Sequence, residues 1–142
     1  MENINFVIGC NGNIGKEIVD YELNSQNRLI GIDIGKSKIK NDEFKHWKLD
    51  CTKPLIIEET LKNLYLEKEF RVKNLVLCAV LDSVPKDGKK KDNSYDYGLS
   101  RQDFEEINQR VLVNITSQLY VLKIFEPYLF SKSSVCLFSS IY

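Results

Sequence analysis

The stretch Val7–Val19, VIGCNGNIGKEIV, decides the fold. Gly9, Gly12 and Gly15 recur at intervals of three, directly after the apolar run Ile4–Ile8 (INFVI). Ile14, Ile18 and Val19 then recur at helical spacing and form one apolar face. The order predicts a strand, a tight turn and a helix. Such a turn lets the backbone approach a pyrophosphate, whose charge is stabilised by the amides and dipole of the helix N-terminus. A glycine-rich turn can also be only a turn, so the residues around it carry the decision.

Working outward, short β-type runs alternate with longer helical ones, the pattern of βαβ units and a parallel sheet. RLIGID (Arg28–Asp33) reads as the second strand and HWKLD (His46–Asp50) as the third. Pro54 suits the first turn of a helix, where no amide donor is needed, and Ile57, Leu61 and Leu64 mark its inward face. NLVLCAV (Asn74–Val80) reads as a fourth strand buried on both faces. Residues 82–99, DSVPKDGKKKDNSYDYGL, break the rhythm with Pro, Gly and clustered charge and read as an insertion. Ser100 and Asp103 stand at N-cap and capping-box positions before a long helix, Phe104–Phe130, with apolar residues at Phe104, Ile107, Val111, Ile115, Leu119 and Leu122. SVCLFSS (Ser134–Ser140) reads as the fifth strand. No repeat or low-complexity tract is evident.

Composition bounds the function. The chain has 142 residues, the length of one domain, with 20 basic and 20 acidic side chains, and so offers no net charge to nucleic acid or an anionic membrane. No apolar run approaches membrane-spanning length, and the N-terminus lacks a secretory signal, so a cytoplasmic protein is expected. Cys10, Cys51, Cys78 and Cys136 are far apart, without CxxC spacing, and are expected to be structural thiols. With His46 as the single histidine, no metal is expected.

Asp33 ends the second strand about 20 residues beyond the glycine loop, where a carboxylate can accept hydrogen bonds from an adenosine ribose and repel a 2′-phosphate. NAD is therefore expected ahead of NADP. Lys36, Lys38 and Lys40 nearby weigh toward NADP, and Asp33 can alternatively be a solvated loop carboxylate.

Taken in order, these features resemble the short-chain dehydrogenase/reductases. GCNGNIG (Gly9–Gly15) resembles the family's glycine-rich turn, in the spacing of its extended and atypical members. Asp50–Thr52 resembles the acidic segment after the third strand that holds the adenine edge. Leu77–Val80 stands where the family has Asn-Asn-Ala-Gly, with Ala79 alone retained. VLVNITSQLYVLKIF resembles the long central helix, with Asn114 at the helix-bending asparagine, and VCLFSSIY resembles the strand that ends at the catalytic serine, here Ser140 beside Ser139.

The resemblance implies a Rossmann-type doubly wound parallel sheet of five strands, order 3-2-1-4-5, spanning residues 1–142, with the C-terminal part of the domain missing. It implies an NAD-dependent oxidoreductase acting on a hydroxyl or carbonyl of a small polar substrate, and a homo-oligomer in full-length form. Ser140 would orient the substrate and Asn114 would serve a proton relay. Gly9, Gly12, Asn13, Ile14, Gly15, Asp33, Asp50, Cys51 and Ala79 would form the cofactor wall. A less specific resemblance, to members encoded with flagellin-modification and surface-sugar pathways, implies a sugar-derived substrate.

The family's tyrosine and lysine, spaced YxxxK after the serine, do not occur in these residues. Tyr128–Lys132 has the spacing but precedes the serine strand, and Tyr142 lies only two positions past Ser140. A chain broken off within a domain is the expectation. The Lys-rich run of the insertion can meet a phosphate or be solvated surface, and Tyr95 and Tyr97 can contact substrate or pack the loop. A nucleotide-sugar epimerase or dehydratase is a close variant. A non-catalytic dinucleotide-binding module, or degenerate remnant, is the competing class. A methyltransferase ranks last, since it leaves Asn114 and Ser140 unexplained.

Overall fold

The computed structural model describes residues 1–25, 27–81 and 104–138. The insertion at 82–99, Ser100, Asp103 and the terminal Ser139, Ser140, Ile141 and Tyr142 lie outside the described residues. Five parallel strands form one sheet: β1 (Glu2–Ile8), β2 (Leu29–Asp33), β3 (Phe44–Lys48), β4 (Phe70–Leu77) and β5 (Leu129–Leu137), in the order β3-β2-β1-β4-β5. Helix α1 (Asn13–Asn24) joins β1 to β2, and α2 (Pro54–Glu67) joins β3 to β4. Before β5 comes a helix with three parts: α3 (Phe104–Val111), a π turn (Leu112–Thr116) and α4 (Ser117–Phe125). Because every strand runs the same way, all five C-terminal ends meet at one edge of the sheet.

Parallel strands bury both faces, which is why β1 is apolar almost without alternation. On one face Phe6 is the hub, with ring centroids 4.9 Å from Phe125 and 5.9 Å from both Trp47 and Phe70; Ile57, Leu61 and Val121 close this core from α2 and α4. The second face holds Val7, Cys10, Val19, Leu29, Phe44 and Cys78. Asn5 is the polar exception inside β1. Its Nδ2 donates to Glu22 Oε2 at 2.7 Å, and Asn27 Nδ2 donates to the same oxygen at 2.7 Å, tying the end of α1 to the sheet.

Several boundaries differ from the sequence expectation, each for a local reason. The third strand is Phe44–Lys48, because Asp50 Oδ1 accepts hydrogen bonds from Thr52 N (2.9 Å) and Thr52 Oγ1 (2.7 Å) and turns the chain out of the ladder. The fourth begins at Phe70 and ends at Leu77; Cys78 N still donates to Ile8 O at 2.9 Å, and Ala79–Leu81 then leave the sheet. The long helix stops at Phe125, where Glu126–Tyr128 tighten into a 3₁₀ turn containing Pro127, and the fifth strand starts at Leu129. Its register against β4 jumps between Val72 and Asn74, and Ser133 Oγ bridges the irregularity by donating to Val72 O at 2.5 Å and accepting from Phe130 N at 2.8 Å.

Two apolar faces also need correction. Ile14 is exposed, and α1 instead buries Gly15 and Val19, with Ile18 and Leu23 packed beside them. On the long helix the line Phe104, Val111, Ile115 and Leu119 points to solvent, with Phe104 86 % and Leu119 59 % exposed, while Ser117, Gln118, Val121 and Phe125 are buried. A π turn adds a residue to the turn, so a face drawn at constant 3.6-residue period does not continue through it.

Candidate cofactor site

The glycine turn is held open by distance alone. Gly9 has φ +86°, and a Cβ there would sit 2.6 Å from Ala79 N. A Cβ on Gly15 would sit 2.1 Å from Gly9 O, so this glycine lets α1 lie against the end of β1. Gly12 is the N-cap of α1, in extended conformation and with no side-chain cap. The first-turn amides of a helix have no intrahelical acceptor, so the N-terminus of α1 presents donors and the positive end of its dipole to the turn.

Along the C-terminal edge of the sheet lies a cavity of about 340 Å³, within the size range of small-molecule clefts. Gly9, Gly12, Asp33, Asp50, Cys51 and Ala79 line it. Asn13, Ile14 and Gly15 do not; Gly15 is buried in the packing of α1, and Asn13 and Ile14 are exposed. Asn11, Cys78, Leu81 and Val113 also line the cavity without having been singled out from sequence. Asn11 sits inside the glycine turn and Cys78 at the end of an apolar strand, which are usable signals. Val113 reaches the cleft from a distant helix, and only the fold brings it there.

The two strand-end carboxylates are built differently. Asp33 Oδ2 accepts Asn11 N at 3.1 Å and Oδ1 accepts Gly35 N at 2.8 Å, so this side chain bridges the glycine turn and the β2 exit. Asp50 uses Oδ1 for both contacts with Thr52.

Three thiols are buried about the turn. Burial is the main cause that pushes Cys78 up to about 11 and Cys10 up to about 12, with the nearby Asp33 charge adding to both. Cys51 is raised for the same first reason, against a hydrogen bond with Ser117. Cys78 Sγ donates to Ile8 O at 3.1 Å. At neutral pH these are protonated; Cys51 and Cys78 are weakly polar groups of the cavity wall, and Cys10 packs in the core of the second face. Cys136 is the exposed cysteine. His46 is partly buried on β3, which lowers its pKa, and among the described residues no group of three His, Cys, Asp or Glu is placed to hold a metal ion.

Asn114 lies within the π turn, and its amide engages the backbone of Leu81 at both ends. Oδ1 accepts Leu81 N at 2.7 Å, and Nδ2 donates to Leu81 O at 3.3 Å. One side chain thereby joins the exit of β4 to the helix carrying Val113. Tyr128, of the misplaced YxxxK match, stacks on Phe70 at 5.1 Å and packs on Tyr65 at 5.5 Å, at the opposite end of the sheet from the cleft. Ser140 lies outside the described residues. The last described residue before it, Phe138, still donates its amide to Leu77 O at 3.1 Å, at the cleft end of β4.

No protein-family model matches the chain, and no curated protein sequence matches it. Solved structures do. A short-chain dehydrogenase from Leptospira borgpetersenii with bound NAD⁺ matches with a TM-score of 0.80 at 20 % identity, over 100 % of this chain and 53 % of its own. The ligand-free aldohexose dehydrogenase of Thermoplasma acidophilum matches with 0.77 at 19 % identity, over 98 % and 49 %. A short-chain dehydrogenase family protein from Francisella tularensis matches with 0.73 at 24 % identity, over 99 % and 51 %. The chain thus spans about half the length of these proteins. Its five-stranded parallel sheet, glycine turn and long helix give it the Rossmann-type fold of the short-chain dehydrogenases.

Proposed function

We propose that the chain is the dinucleotide-binding part of a short-chain oxidoreductase, with NAD as its cofactor. The observation that carries this is the convergence at one sheet edge of a turn that admits no side chain at Gly9 or Gly15, an open helix N-terminus, and two strand-end carboxylates. The pyrophosphate would lie on the Gly9–Gly12 backbone and the first turn of α1. Asp33 would accept the ribose hydroxyls, keeping its two backbone donors as it does so. Asp50 and Cys51 would face the adenine, with Ala79 beneath the ribose.

When bound, the nicotinamide supplies the hydride donor or acceptor. The chain's own share of that chemistry is to bind and orient. Val113 and Leu81 would wall the cleft against water, and the Asn114 contact with Leu81 would hold that wall in register. Ser140 would orient the substrate's hydroxyl or carbonyl. The substrate class is a small polar alcohol or carbonyl compound, with a sugar derivative as the finer reading; an aldohexose dehydrogenase among the structural matches supports it weakly. A homo-oligomer and a cytoplasmic setting complete the proposal; no helix among the described residues is long and apolar enough to cross a membrane.

A second reading has its own observation. Tyr128, which opens the YxxxK match of these residues, stacks on Phe70 away from the cleft, as in a module that binds the dinucleotide without turnover. Calorimetric titration of the chain with NAD⁺ and NADH, on wild type and Asp50→Ala, tests the binding common to both readings. Saturable binding that weakens about tenfold in the variant is expected, the worth of one charge-assisted contact. Absence of binding by the folded wild-type chain would remove both readings. Hydride transfer from NADH to a panel of aldoses and ketones would then separate them.

A further inference from the structure

The glycine turn is seated on the last three residues of β2, and each of them holds it by a different means. Gly9 N donates to Ile32 O at 2.8 Å and Cys10 N to the same carbonyl at 3.4 Å, while Asn11 N donates to Asp33 Oδ2 at 3.1 Å. Gly12 N turns back to Gly9 O at 3.1 Å. The amides of the turn are thus engaged within the protein. The donors left to an anion are those of the first turn of α1, which have no intrahelical acceptor. Where those amides point is set by how the turn sits on β2.

Gly31, the third residue of the seat, takes part by lacking a side chain. A Cβ there would stand 2.7 Å from Cys10 Sγ and 2.8 Å from Phe44 Cε2, inside the 3.4 Å at which ordinary van der Waals contact begins. Two side chains therefore fill the space over Gly31, one from the turn and one from β3.

These two neighbours do not yield equally. Phe44 stands on the edge strand of the sheet, with open space on one side of its strand. Cys10 is fully buried among Val7, Val19, Leu29 and Cys78, and a Cβ on Gly15 would lie 2.9 Å from its Cα. A close-packed interior offers Sγ no room to swing aside. Pressure on Sγ from a side chain at position 31 passes instead to the backbone of the turn, and from there to α1.

We propose that Gly31 is a positioning residue for the dinucleotide site: its bare backbone receives the Cys10 side chain and so fixes the angle at which the first turn of α1 meets the pyrophosphate. The inference rests on the dinucleotide reading of the main cleft and adds a determinant that touches no part of the ligand. Asp33, held also by Gly35 N at 2.8 Å, and Asp50 would meet the adenosine independently of that angle.

The test is a double-variant cycle on the full chain, titrated by calorimetry with ADP and with adenosine. Gly31→Ala is expected to weaken ADP about tenfold, the loss of one charge-assisted hydrogen bond to the diphosphate, and to leave adenosine within about twofold. In a Cys10→Ala background the same substitution should change ADP affinity by less than about twofold, because the space over Gly31 is then open on the turn side. In a Phe44→Leu background the tenfold loss should persist, since relief there comes from β3. Equal losses with and without the Cys10 thiol would overturn the proposal, and so would recovery by Phe44→Leu as complete as that by Cys10→Ala. ADP and adenosine weakened alike would also overturn it, because a general loosening of the fold does not tell them apart. A folded Gly31→Ala chain that binds ADP like wild type would do the same. Should Gly31→Ala not fold alone, Cys10→Val crowds the same space from the turn, and the ADP-selective loss is expected there; its absence would sink the inference. Failure of the wild-type chain to bind either ligand would instead strike the cleft reading itself, and the inference with it.

Discussion

The turn joining β1 to α1 and the long helix leading into β5 are kept in shape by opposite means. At the turn, atoms leave no clearance: a methyl on Gly15 would stand 2.1 Å from Gly9 O and 2.9 Å from Cys10 Cα. The helix is fixed by a few anchors, with Val121 and Phe125 fully in the core and Asn114 clamped to Leu81, while the side chains of Phe104, Ile115 and Leu119 stand largely in solvent. In the turn, residue identity follows from contact geometry a few positions away. In the helix it follows from which residues the sheet happens to receive, and apolar character alone does not say which those are.

The comparison breaks most visibly at the anchors. Phe125→Ala should cost about 3–5 kcal/mol through the cavity left beside Phe6, a fall of roughly 10–20 °C in melting temperature for a chain of this size. Phe104→Ala, at the exposed end of the same helix, should move stability by less than about 0.5 kcal/mol. Equal losses in the two variants would mean that the helix is held along its whole length.

Gly15→Ala sharpens the other side. Forcing a methyl into that contact should cost about 3 kcal/mol, the upper range for overpacking, and should weaken dinucleotide binding because Gly9 O must move. A variant that melts and binds like wild type would refute the zero-clearance account. Asn114→Ala should be milder, at about 1 kcal/mol, since solvent can replace the lost partners of the exposed Leu81. Its sharper signature is faster hydrogen exchange at the Leu81 amide, with the amides of β1 unchanged.

The thiols give the smallest and most selective effect. At pH 8 iodoacetamide should label Cys136 first, while Cys10, Cys51 and Cys78 react only on unfolding. The pH dependence has a definite sign. Cys10 and Cys78 hold their protons more tightly folded, with values of about 12 and 11 against 9.0 unperturbed, so their contribution is complete below pH 9.0 and is lost as pH rises through 11 and 12. Denaturant midpoints that stay level through this alkaline range, or rise, would contradict the burial of these two thiols.

How much of this was legible in advance varies with how local the cause is. The strand–turn–helix at Gly9–Gly15, Pro54 at the start of α2 and the inward Ile57 and Leu61 follow from short-range rules of backbone freedom and periodicity. The 3-2-1-4-5 order followed from the resemblance those elements carried. Asp33 and Asp50 were identifiable as strand-end acids, but their different bonding was not, because it depends on Asn11, Gly35 and Thr52 in three dimensions. The exposed line on the long helix was misread because periodicity reports an apolar stripe and not what faces it.

By itself, the sequence determined where the chain must turn tightly, which runs are apolar on both sides, and that an acid stands at the end of each of two strands. These depend on covalent geometry and on residues close in the chain. The tertiary structure alone decided that Asn114 clamps Leu81 and that Val113 walls the cleft. Each of those joins residues from separate elements, and packing the helices against a twisted parallel sheet is what makes them neighbours.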